Sequence, residues 1–483
     1  MRRALSVVAL LVVIASGVVA VSGCGHDDSP KTPTAPPLVS GLSVNEVAIY
    51  QGVKASLMKA GAAATPAVPV IAGRAGLLRV YFQPPTTWLP HEIIVHIGLA
   101  QKGVALPPLE QKFMVIGNSS DATIATTVNF DLPPATLTPD LSWSITLKEE
   151  DTTHPVGDTS GARYPATGEA AIGAIKTGKV KVTLLPVSYG ADGSMRMPSV
   201  AATDVAKFRA KMQAMYPVTD VEITVGTPFS WMRPIAADGT GWDELLNAVV
   251  SQRLRDGAPD DVYYYGLFTP MSSFMQYCHQ GCVLGLSPLA FDAQDGSMRA
   301  SIGLGYEDTY AEPQETFVHE VGHAHGRMHA PCETQDADPD FPYSNGQIGS
   351  WGYDSTSKKF FDPAGKMRDM MGYCSPDWIS DYTYSALATR VQSVNTVPQN
   401  LETESHWRQL LVKANGRVER GEIFSTRHAP TGQVKAIERF DGSGASTLVD
   451  ARFYPFDHLP GGILMMPAAD DLGTLRVDGK LVE

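Results

Sequence analysis

The chain has 483 residues, 43% of them hydrophobic and 18% charged, with a formal net charge of −13. That length exceeds a single hydrophobic core and implies two or three domains. The acidity argues against nucleic acid as a partner, because phosphate binding needs a basic face and no basic run is present.

The N-terminus reads as a targeting segment. Arg2 and Arg3 precede the apolar run ALSVVALLVVIASGVVA, and VSGC follows at 21–24. VSGC resembles the lipobox of bacterial lipoproteins, in which small residues admit the signal peptidase. The resemblance implies that residues 1–23 are a signal peptide and that Cys24 becomes the lipidated first residue. An uncleaved anchor helix is the competing reading. Residues 24–37 are polar and Pro-rich, an extended tether. The expected location is therefore the bacterial cell envelope, outside the cytoplasm, with the lipid holding the chain on a membrane. No later stretch is long and apolar enough to span a bilayer.

Residues 38–175 read as a β-sandwich. Ile93, Val95, Ile97 and Leu99 alternate onto one face, as do Val128, Phe130 and Leu132, and Trp143, Ile145 and Leu147. Pro and Gly clusters punctuate these runs. The pattern changes near residue 178. VKVTLLPVSYG is strand-like. Val205, Phe208, Met212 and Met215 then fall at helical spacing, and Pro217 stops that run. VEITV alternates again, WDELLNAVVSQRL is helical and DVYYYGLF is a strand. This alternation predicts a sheet with crossover helices over 178–395. Residues 400–483 return to β, with Asn415-Gly416 and Asp478-Gly479 as hairpin turns. The expected fold is multidomain α+β: an α/β unit flanked by an N-terminal β-sandwich and a small C-terminal β domain.

Beyond Cys24 there are four cysteines, an even count that favours two disulfides in an exported protein. Cys278–Cys282 and Cys332–Cys374 are the expected pairs, since the first two lie close in sequence. A zinc site is the competing reading, although the CHQGC spacing does not match common zinc knuckles.

The densest chemistry lies in ETFVHEVGHAHGRMHAPC, residues 315–332. Four of the chain's 12 histidines fall here. Pro313 suits a first helical turn and Gly326 the position just past the end. On such a helix His319 and His323 project from one face, one turn apart. Glu320 is rotated away and can flank a metal without occupying it. Gly326 turns the chain back, and His329 follows three residues later. Three nitrogens with one open position suit a catalytic zinc. His325 does not fit the ligand spacing and is read as solvated or hydrogen-bonded.

The pattern H-E-x-x-H-x-x-G-x-x-H resembles the metzincin superfamily of zinc endopeptidases, which carry a Met-turn downstream. RDMMGYCSPDW at 368–378 offers Met370 and Met371. Met371 is preferred, because Tyr373 then stands two residues on. The resemblance implies an α/β metzincin-like catalytic domain. In it His319, His323 and His329 hold one Zn2+, Glu320 is the general base and Met371 forms an apolar floor. Tyr373 would bind the metal or steady the reaction intermediate; a packed core tyrosine is the alternative. Ala330, after the third histidine, fits none of the best-known groups, and the wider arrangement looks most like secreted bacterial enzymes, including StcE-type mucinases. Glu333, Asp336, Asp338 and Asp340 form an oxygen-rich loop of the kind that holds Ca2+, or else a solvated acidic loop. CVLGLSPL, from Cys282, is a candidate edge strand for pairing with an extended substrate. The implied activity is hydrolysis of internal peptide bonds in proteins or glycoproteins. The rival reading is a lipid-anchored adhesin or binding protein. The sequence leaves the natural substrate and the oligomeric state open.

Overall fold

The computed structural model describes residues 36–151, 154, 157–308, 312–334, 336–397, 405–469 and 473–482. The signal segment and Cys24 lie outside them. The chain is multidomain and mostly β, with 39% strand against 17% helix. No helix among the described residues is long and apolar enough to cross a membrane.

The N-terminal part forms two antiparallel sheets. One contains strands Val44–Tyr50, Gly76–Phe82 and Val128–Leu132, and the other contains His91–Gln101, Val104–Val115 and Leu141–Glu149. Period-two alternation drives their packing. Ile93, Val95, Ile97 and Leu99 are buried on one face, opposite Trp143, Ile145 and Leu147.

The central sheet has parallel strands Asp220–Val225, Lys179–Tyr189, Val262–Phe268 and Ala300–Leu304, in that spatial order, and the short antiparallel edge strand Gly285–Leu286. Helices Ala202–Met215 and Trp242–Arg255 are the crossovers. Alternate residues of one strand serve opposite faces. Val180, Val182 and Leu184 meet Phe208, Met212, Phe317 and Val321. Leu185 and Val187 meet Leu245, Leu246 and Val249 on the other side. Each such side chain, fully buried, is worth about 1.5–3 kcal/mol relative to exposure.

Two apolar clusters cross the boundaries read from sequence. The first runs from the N-terminal sandwich into helices Ala202–Met215, Pro313–Ala324 and Asp381–Thr396. Trp378 Nε1 donates to Gly52 O at 2.8 Å and seals this junction. The second joins helix Trp242–Arg255 to the seven-stranded C-terminal sheet through Trp407, Leu411, Tyr454, Phe456, Ile463 and Met465. Buried Gln409 adds polar contacts there, its Oε1 accepting from Ser251 Oγ at 3.1 Å. Tyr454 OH donates to Asp295 Oδ1 at 2.6 Å.

Candidate metal centre

Helix Pro313–Ala324 carries His319, Glu320 and His323. Its apolar residues Phe317, Val318 and Val321 are buried in the first cluster. The helix ends in a Schellman turn. Gly326 N–H donates to His323 O at 2.7 Å, and Arg327 N–H to Gly322 O at 3.0 Å. Gly326 has φ +79°, and a β-carbon there would sit 3.0 Å from Ala290 O. Glycine therefore lets the chain reverse and return His329 to the helix.

The three rings converge. His323 Nε2 lies 3.0 Å from His319 Nε2 and 3.2 Å from His329 Nε2. Their other nitrogens fix the tautomers: His319 Nδ1 donates to Met370 O and His323 Nδ1 to Arg327 O, both at 2.7 Å. Burial lowers the pKa of His319, lowers that of His323 well below its ordinary value, and pushes His329 down to about 4. A neutral imidazole with its proton on Nδ1 presents a lone pair at Nε2. Two buried lone pairs facing each other at 3.0 Å cannot form a hydrogen bond, but they suit a shared cation. Nitrogens at tetrahedral corners about 2.0–2.1 Å from a metal stand about 3.4 Å apart, so this donor set fits zinc.

Met371 lies beneath the helix. A β-carbon on Gly322 would fall 2.5 Å from Met371 Sδ, so glycine in that turn admits the sulfur. Buried Asp369 organises the turn by accepting from Met371 N at 2.8 Å and Ser380 N at 2.9 Å. Ala330 N donates to Met371 O at 3.0 Å and Tyr373 N to Cys332 O at 3.0 Å, and the Cys332–Cys374 disulfide closes the same pair of segments. Cys278–Cys282 forms a second disulfide at the rim.

A cleft of about 740 Å³ opens over this site, lined by Cys282–Gly285, His319, Glu320, Gly372–Ser375 and His458 among others. Tyr373 is not a core residue: it is 47% exposed in the cleft, and its hydroxyl lies 3.1 Å from His329 Nε2. Glu320 is only 2% exposed, and its Oε2 has no hydrogen-bond partner. Burial, then the charge of Asp457, pushes its pKa well above the usual carboxylate range. Its carboxyl packs on Gly285, where a β-carbon would stand 2.3 Å from Oε1.

His325 is buried and hydrogen-bonded, the second of the two states read from the sequence: it donates through Nδ1 to Val321 O at 2.8 Å and stacks on Tyr263 at 4.3 Å. Asp338, in the acidic loop, accepts from Arg327 at 3.0 Å and from Tyr382 OH at 2.9 Å, so a guanidinium already balances it. Asp457 and His458 were not anticipated. They sit at the tip joining strands Ser446–Pro455 and Gly462–Pro467 of the C-terminal sheet. Asp457 Oδ2 lies 3.6 Å from His323 Nε2 and pairs with His458 Nδ1. Burial alone would raise the Asp457 pKa, but the charge on His458, with His323, holds it well below the carboxylate range. An Asp-His pair before Pro-Gly-Gly, between two strand-like runs, is the local signal that could have drawn notice.

Comparison with known proteins bears on this centre. Residues 291–395, which include the three histidines, Glu320 and Met371, match the Peptidase M66 family model. Dictomallein from Burkholderia mallei and from Burkholderia pseudomallei are each 26% identical over 219 residues, covering 44% of this chain and 27% of the relative. The match thus spans about a quarter of the relatives' own length. A glycosyl hydrolase family 2 member from Bacteroides cellulosilyticus aligns over 86% of this chain and 76% of its own, at 11% identity and a TM-score of 0.15, too slight a likeness to bear on the fold. The M66 match over the histidine helix, together with the dictomallein relatives, supports a metallopeptidase of the M66 type.

Proposed function

We propose that the protein is a zinc-dependent endopeptidase with a metzincin-like catalytic unit, acting on extracellular proteins or glycoproteins. The convergence of three neutral imidazole nitrogens in a cleft that also holds an unpartnered carboxylate carries this reading. His319, His323 and His329 would hold the ion, which when bound supplies Lewis acidity toward a water and the scissile carbonyl. Glu320 takes the proton from the attacking water and delivers it to the departing amine. Tyr373, its hydroxyl at the mouth of the histidine set, is placed to donate to the developing oxyanion.

The edge strand Gly285–Leu286 pairs with Ile302–Gly303 on one side, and Gly285 lines the cleft. An extended peptide can add to that edge at Gly285. Export as a lipoprotein anchored through Cys24 accords with the two disulfides, which persist in oxidising compartments. Digestion of casein or mucin by the purified chain, with and without phenanthroline, tests the proposal. Cleavage abolished by the chelator and by Glu320→Gln, with zinc retained in that variant, is the expected result. Binding without cleavage, unaffected by the chelator, would favour the adhesin.

A further inference from the structure

The open corner of the histidine set faces a carboxylate from another part of the chain. One carboxylate oxygen of Asp457 and one nitrogen each from His319, His323 and His329 all lie within 4.8 Å of one another. The Asp457–His323 separation of 3.6 Å is close to the spacing of about 3.4 Å that neighbouring donors of a tetrahedral zinc adopt. The Asp457 side chain has no solvent exposure.

The backbone holds this carboxylate in place. Asp457 N donates to Ser287 O at 3.1 Å, Leu289 N donates to Pro455 O at 2.9 Å, and Ser287 N donates to Asp457 Oδ1 at 2.9 Å. Residues 455–457 therefore pair with 287–289, the direct continuation of edge strand Gly285–Leu286. This is the backbone strip along which an extended substrate would pair. His458 extends the obstruction into the cleft, and Leu459 packs where a β-carbon on Gly239 would fall. The Tyr454–Phe456 stem is buried in the second apolar cluster, whereas the 457–461 tip returns through Gly461 at φ +109°.

We propose that Asp457 is the fourth protein ligand of the metal, so that the folded chain is a latent enzyme and the Asp457–Gly461 tip must withdraw before water and substrate reach the ion. This rests on the zinc reading above. Opening is a ligand exchange, one carboxylate oxygen replaced by one water, with no bond of the chain cut.

The test uses the full chain, stripped and reloaded with cobalt(II), as wild type, Asp457→Ala and Asp457→Asn. The asparagine keeps an oxygen for the Ser287 N–H and guards against a folding failure. The expected result is one cobalt per chain in all three, with a visible ligand-field spectrum that differs between wild type and both variants. Acetohydroxamate should bind the variants about tenfold more tightly or better, the factor by which a closed state favoured ten to one weakens apparent affinity. Casein cleavage should rise in parallel. Identical spectra and equal hydroxamate affinity in fully loaded proteins would overturn the proposal. So would an unchanged spectrum with lost cleavage, which would make Asp457 a positioning residue for His458. A wild type that takes up no cobalt or zinc would remove the metal reading itself, and this inference with it.

Discussion

Replacing Gly285 by alanine isolates the placement of the proposed base. Gly285 is ordinary strand backbone, so alanine adds no conformational strain there. Its β-carbon, however, would fall 2.3 Å from Glu320 Oε1, 2.4 Å from Cγ and 2.5 Å from Cδ. Non-bonded atoms rest at about 3.5–4.0 Å, so the carboxyl must retreat by about 1 Å. It retreats into a packed site, since Glu320 is 2% exposed. A displacement of about 1 Å in a reacting group costs on the order of 100-fold in rate, or about 2.7 kcal/mol of activation free energy. Gly285→Ala should therefore lower kcat for a peptide substrate about 100-fold while zinc content stays near wild type, with a fall in thermal midpoint that corresponds to an overpacking cost of about 1–3 kcal/mol. The assay is steady-state cleavage of a fluorogenic peptide, with metal measured by mass spectrometry on the same sample. If kcat stays within threefold of wild type at full zinc occupancy, Glu320 is not the base or does not act from this position.

Three further outcomes are expected. Cys332→Ser with Cys374→Ser opens a cross-link spanning 42 residues; the chain-entropy model assigns such a loop roughly 4 kcal/mol, which urea denaturation will read. Tyr373→Phe removes the hydroxyl 3.1 Å from His329 Nε2 and should lower kcat by about 100-fold, as loss of an oxyanion donor does, with KM and zinc content little changed. Asp377 is pushed by burial from its ordinary 3.8 to about 6, against the opposing pull of Lys211. Between those values the native state binds more protons than the unfolded state, so this residue makes stability fall as pH rises from about 4 to 6. Urea midpoints across that window should slope less in Asp377→Asn than in wild type, by on the order of 2 kcal/mol in total; equal slopes would refute the assignment.

The histidine centre was largely legible in the sequence, because its geometry is local. One helical turn brings His319 and His323 onto a face, and a positive φ at Gly326 returns His329, so spacing alone specified three donors. The alternation of Ile93, Val95, Ile97 and Leu99 was legible for the same reason, since a strand's period is a property of adjacent residues. Tertiary structure decided the rest. It set Gly285 against Glu320, buried His325 against Tyr263, and brought Asp457 from the C-terminal sheet to the open side of the imidazoles. Those contacts depend on which faces of separately formed elements bury their apolar surface together, as Trp407 and Phe456 do with Trp242. Periodicity says that a face is apolar; it does not say which partner will cover it.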